Sequence, residues 1–92
     1  MDKQQILKEF RTLPGVGKSI AEDLWNMGFR STSELKNKNP EKLYNQINQL
    51  YGKRIDRCML YVFRCIVYYT SNKNHNPKLL LWWNWSDKKQ TQ

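Results

Sequence analysis

The sequence is poor in the residues that build metal centres, disulfide frameworks and membrane spans. It has one histidine, His75, and two cysteines, Cys58 and Cys65, among 92 residues. Cys58 and Cys65 are seven positions apart, about 10.5 Å along a helix axis, too far for a disulfide within one helix. A zinc site would need two more ligands, and His75 has no neighbour at ligand spacing. Both cysteines therefore read as small buried hydrophobes, and no metal or cofactor is expected. The longest apolar run, Cys58 to Tyr69, is broken by Arg64 and falls short of the ~20 residues of a membrane span. The opening Met1-Asp2-Lys3-Gln4-Gln5 lacks the apolar stretch of a secretory signal, so a cytoplasmic protein with no membrane partner is expected. Acidic residues are scarce too: there are eight, and they are scattered. The adjacent pair Glu22 and Asp23 would diverge on a helix, so no paired carboxylates stand ready for acid–base or metal-dependent catalysis.

What is abundant is positive charge. Sixteen Lys and Arg give a net charge of +8 and a pI near 9.7. Residues 1–46 account for +2 of it and residues 47–92 for +6. Such a balance favours polyanionic partners, nucleic acid above all. The competing explanation is that a small protein needs net charge to stay soluble.

The apolar pattern is helical along the chain. Residues 3–10 place Ile6, Leu7 and Phe10 on one side, and Leu13-Pro14-Gly15-Val16-Gly17 breaks the pattern. A second helix runs from Lys18 to Met27, with Gly28 just past its end. Ser31-Thr32-Ser33-Glu34 has the form of a capping box. Asn39-Pro40-Glu41 opens a helix that continues through Leu43, Tyr44, Ile47 and Leu50 to Tyr51 and closes at Gly52. Residues 54–70 are the most apolar, with Ile55, Met59, Val62, Phe63, Ile66 and Tyr69 facing a core. Their β-branched and aromatic content also suits a strand, but the length favours a helix. Pro77 begins a last short helix before Trp82-Trp83-Asn84-Trp85. The expectation is one domain over 1–86 with a flexible tail at 87–92, frayed from Lys88 on.

The segment richest in chemistry is Leu13-Pro14-Gly15-Val16-Gly17-Lys18-Ser19. Its glycines leave backbone N–H groups uncovered at a helix N-terminus, where the dipole adds partial positive charge. A phosphate could approach the amides of Gly15, Gly17 and Lys18, with the Lys18 ammonium as a point charge. Gly17-Lys18-Ser19 is not a P-loop, because Thr12 stands where that pattern needs glycine and no strand precedes it.

Leu13-Pro14-Gly15-Val16-Gly17-Lys18, with Ala21, Leu24 and Gly28-Phe29, is similar to the helix-hairpin-helix motif of DNA-binding proteins that do not read sequence. Together with Asp56-Arg57-Cys58, Leu60-Tyr61-Val62-Phe63-Arg64-Cys65, Val67-Tyr68-Tyr69 and Leu80-Leu81-Trp82-Trp83-Asn84-Trp85, it resembles a small bacterial family. Its members carry the labels pathogenicity-locus protein and mitomycin-resistance protein. The resemblance implies an all-α, helix-hairpin-helix (SAM-like) bundle of about five short helices, with a second, degenerate hairpin near Tyr51-Gly52-Lys53. It also implies a link to DNA, since mitomycin crosslinks DNA. The phosphate-binding candidates are then Gly15, Val16, Gly17, Lys18 and Ser19. Hairpins of this shape also serve as protein-interaction modules.

On a helix over 54–70, Arg57, Tyr61, Arg64 and Tyr68 share one stripe, which Lys53 would join if the helix reached back that far. With Arg54, these cations could extend a phosphate contact. Alternatively the arginines snorkel and pair with an acid such as Glu22 or Asp23. Cys58 beside Arg57 suggests a reactive thiol, but the helical projection puts it on the apolar side, and no catalytic residue is expected. The three tryptophans of 82–85 are expected to pack back over the core, and a ring left exposed would suit a protein partner. Two functions follow: binding of double-stranded DNA through its backbone, in DNA repair or drug resistance, or docking of a protein partner.

Overall fold

The computed structural model describes residues 2–90. Five α-helices and three short 3₁₀ helices form a small all-α bundle. α1 spans Lys3–Phe10, α2 Lys18–Asn26, α3 Pro40–Tyr51, α4 Cys58–Ser71 and α5 Asp87–Gln90. The 3₁₀ helices are Thr32–Leu35, Pro77–Leu80 and Trp82–Trp85.

Local signals set most of these boundaries. Asp2 caps α1 by accepting from the Gln5 amide at 2.9 Å, while the Gln5 side chain accepts from the Asp2 amide at 3.4 Å. Glu34 returns to the amides of Arg30 and Ser31 at 2.7 and 2.8 Å, forming the expected capping box. Asn39 caps α3 and Pro40 occupies its first turn. Gly52 ends α3 with φ +63°, a left-handed conformation that glycine adopts without steric cost.

α4 is the central helix. Met59, Leu60, Val62, Phe63, Cys65 and Ile66 are all buried on it. α3, the 3₁₀ helices and the chain end pack around it, and α1 packs on α2. Phe10, Leu24, Leu35, Ile47, Leu60, Phe63 and Ile66 are the innermost side chains of one continuous core. At about 1.5–3 kcal/mol for each fully buried aliphatic or aromatic side chain, this core supplies the main drive for folding.

Two expectations are corrected here. Residues 54–57 are not helical: Asp56 accepts from the Cys58 amide at 2.8 Å, so α4 begins at Cys58. The preceding loop is held open by Asn48, whose Oδ1 accepts from the Ile55 amide at 2.7 Å, and by the Tyr44 hydroxyl on the Ile55 carbonyl. Lys53 therefore lies in that loop and off the arginine stripe, and Ile55 is only half-buried. Asp87, placed in the tail by its sequence, is instead held by two arginines and opens α5. Residues 91 and 92 of that expected tail lie outside the described residues.

Candidate nucleic-acid interface

The loop from Arg11 to Gly17 joins α1 to α2 through tight turns. The Thr12 amide donates to Glu9 O at 3.0 Å, Leu13 to Phe10 O at 3.0 Å, and Val16 to Leu13 O at 3.2 Å. Leu13 and Val16 are buried and plug the loop onto the core. Val16 therefore contributes packing, with its amide already engaged. The amides of Gly15, Gly17, Lys18 and Ser19 have no acceptor among the described residues, and no side chain caps α2. No acid stands in its first turn. Four N–H donors and the exposed Lys18 thus surround one uncapped helix N-terminus, an arrangement suited to an oxyanion. Lys18 and Arg11 also line a cleft of about 170 Å³ between α1 and α2, which Glu22 shares.

The two glycines have different tasks. Gly15 has φ +78°, and a Cβ there would lie 3.1 Å from Trp82 Cδ1. Only glycine satisfies both the turn and the indole packed on it. Gly17 is extended at φ −98° with open space around it, and its lack of a side chain leaves the neighbouring amides uncovered.

The loop between α3 and α4 repeats the helix–loop–helix arrangement with different chemistry. Its Lys53 amide donates to Asn48 O at 3.2 Å. At the start of α4, Asp56 fills the position that stays empty in the first loop. Its bond from Cys58 N–H holds its carboxyl below the ordinary carboxylate range. Lys53 and Arg54 are exposed, and no carboxylate lies within ion-pair distance of either among the described residues.

The Arg/Tyr stripe exists, but the chain's own end covers it. Arg57 grips Asp87 through Nε and through Nη2 at 3.1 Å. Arg64 reaches Asp87 at 3.0 Å, Glu41 at 3.0 Å and the Trp85 carbonyl at 2.8 Å. The Tyr61 hydroxyl donates to Asp87 at 3.3 Å, and Tyr68 packs on Trp85 with ring centroids 5.4 Å apart. These contacts hold the Asp87 carboxyl far below its usual range. The arginines are thus paired, but not to Glu22 or Asp23. Glu22 faces Lys3 at 3.3 Å, and Asp23 accepts from the Tyr51 hydroxyl at 2.6 Å. Asp87 escaped sequence reasoning, although one signal pointed to it: it and Asp56 are the sole acids of residues 47–92.

Cys58 is exposed, contrary to expectation, because it stands at the mouth of α4 beside Asp56. That carboxylate pushes its thiol up, the opposite of what a nucleophile needs. Cys65 is buried as expected, and burial pushes it up to about 11. His75 stacks on Tyr69 at 4.6 Å and bonds its carbonyl at 2.8 Å. Among the described residues no three His, Cys, Asp or Glu side chains group as metal ligands, and no helix is long and apolar enough to cross a membrane. Trp82 and Trp85 pack inward, while Trp83 is 52% and Leu81 40% exposed.

The family described as Pathogenicity locus (Cdd1) matches residues 3–91, and the chain belongs to it. The chain is also similar to the mitomycin resistance protein McrB of Streptomyces lavendulae. The two are 24% identical over 82 residues, covering 89% of this chain and 74% of that protein. No solved structure matches.

Proposed function

We propose that this member of the pathogenicity-locus family is a helix-hairpin-helix domain that binds double-stranded DNA through its phosphates, without reading bases. One observation carries the reading: the four unengaged amides of Gly15, Gly17, Lys18 and Ser19 at the uncapped start of α2, in a chain of net charge +8. A backbone phosphate accepts from those amides and pairs with Lys18, while Lys53 and Arg54 add diffuse attraction from the second loop. Amides and ammonium groups aimed at phosphate carry no base information, so the affinity is independent of sequence. The relative's name, mitomycin resistance, fits a role in tolerating DNA damage, since mitomycin crosslinks DNA. A cytoplasmic setting accords with this role.

A labelled mixed-sequence duplex titrated by fluorescence anisotropy tests the reading. The expected result is a Kd on the order of micromolar at low salt, with log affinity falling against log salt at a slope of about −2 to −4. No binding at low salt, or binding indifferent to salt, would overturn it. The exposed Leu81 and Trp83 favour a second reading, a protein-docking face, whose affinity would survive added salt.

A further inference from the structure

We propose that Arg57, Tyr61 and Arg64 form a second phosphate site, closed by the chain's own Asp87 and opened when the C-terminal turn is displaced. Its chemistry stands on the structure alone; that the incoming phosphate belongs to nucleic acid rests on the DNA-binding reading above.

Arg57 stands just before α4 and Tyr61 and Arg64 lie on its first two turns, and their polar ends converge on Asp87. Two guanidiniums and a phenol meet on a single carboxylate, through Arg57 Nε and Nη2, Arg64 Nη1 and Tyr61 Oη. That donor set also suits the non-bridging oxygens of a phosphate, which guanidinium recognises with the same bidentate geometry. A phosphodiester carries one negative charge, as Asp87 does, so the exchange leaves the charge of the cluster unchanged, with Glu41 still on Arg64.

The occupant sits on a short, partly exposed element. Asp87 begins a four-residue helix, and its side chain is 39% exposed. Glu41, on α3, holds Arg64 apart from the C-terminal segment, and the Arg64 side chain is only 16% exposed, so Arg64 keeps its place when Asp87 leaves. The segment that carries Asp87 also touches the first loop, through Trp82 against Gly15. Trp82 and Asp87 are five positions apart, a Cα span of at most ~18 Å, which keeps the two sites within the length of one short duplex.

Thermal unfolding with inorganic phosphate, at ionic strength held constant with chloride, tests the site apart from DNA. Asp87→Ala should melt below wild type, and phosphate at ten times its Kd should raise that variant by roughly 5 °C or more. Wild type should respond far less, and Arg57→Gln in the Asp87→Ala background should abolish the response. Equal responses in wild type and Asp87→Ala would overturn the site. Duplex anisotropy tests the gate: Asp87→Ala should bind about 3- to 10-fold tighter with a steeper salt slope. Arg57→Gln should cancel that gain, whereas Lys36→Gln, which removes the same charge elsewhere, should not. If wild type and Asp87→Ala bind the duplex equally, or if Lys36→Gln cancels the gain as well, the gate fails and the first loop's role stands. If neither binds DNA, the DNA reading fails and the phosphate melting still decides the site.

Discussion

In the first helix–loop–helix unit the helix after the loop starts at Gly17 with no side chain on its amides; in the second it starts beside Asp56, whose carboxylate is already seated on one. The two loops join similar helices, yet one presents unpaired donors and the other supplies its own anion. Charge counts do not follow the unpaired donors. The second half carries +6 against +2, but its Arg57 and Arg64 are paired to Asp87 and Glu41. The less charged half holds the more unengaged amides. The proposed phosphate site therefore follows local hydrogen-bond satisfaction and not net charge, because an uncapped N-terminus gains a partner on binding and a capped one must first lose one.

The largest expected effect separates the glycines of the two loops. Gly15→Ala forces a methyl group into a left-handed position against Trp82, and should cost about 2 kcal/mol, lowering Tm by roughly 10 °C. Gly52→Ala meets the same backbone strain with nothing within 4 Å, and should cost about 1 kcal/mol. Thermal unfolding followed by circular dichroism reads both, and equal losses would show that Trp82 does not brace the first loop.

Next in size is the effect on binding. Gly17→Ala adds a methyl group into open space, so Tm should hold while duplex affinity falls about tenfold, or ~1.4 kcal/mol. Lys18→Glu should weaken binding by at least as much and lower the salt slope by about one. Unchanged affinity in both would make the first loop as inert as the second, and the contrast between them would vanish.

How far the sequence foretold this arrangement depends on the range of the interactions involved. The start of α1, the capping box at Ser31 and Glu34, the cap at Asn39 and the stop at Gly52 were all legible, because each depends on residues within a turn of one another. The uncapped start of α2 was readable from Gly17 for the same reason. The start of α4 was not, because helical periodicity continues back through Ile55 while a local Asp56 bond and Asn48 from α3 end it. Trp82 on Gly15 and Asp87 on Arg57 join distant parts of the chain, and periodicity carries no information about such pairs. Val16 counts among the phosphate candidates by its place in the motif, whereas the turn gives its amide to Leu13.

A third test tries to convert the closed loop into an open one. Asp56→Ala frees the Cys58 amide and removes a negative charge, so duplex affinity should rise about threefold while Tm drops by a few degrees. The same carboxylate makes stability pH-dependent. Asp56 and Asp87 are both held below their ordinary value of 3.8 in the folded state. Their contribution is therefore complete above that value and is lost as pH falls through the lower folded-state values. Wild type should lose more Tm on acidification below about pH 4 than Asp56→Asn does, and parallel curves would show that the cap carries no charge-dependent stability.

The smallest effect probes the Asp56 carboxylate directly through its neighbour. Cys58 is exposed and Cys65 buried, so iodoacetamide at mildly alkaline pH should modify a single thiol in the folded protein. Asp56 raises the pKa of that thiol, which suppresses the reactive thiolate. Asp56→Asn keeps a capping oxygen on the Cys58 amide but removes the charge, and should speed alkylation about threefold. Asp87→Asn, which neutralises a carboxylate bound elsewhere, should leave the rate unchanged. If Asp56→Asn does not alter the rate, the carboxylate does not sit at the start of α4. The second loop would then be as open as the first, and their difference in phosphate binding would have to come from Gly17 and Lys18 alone.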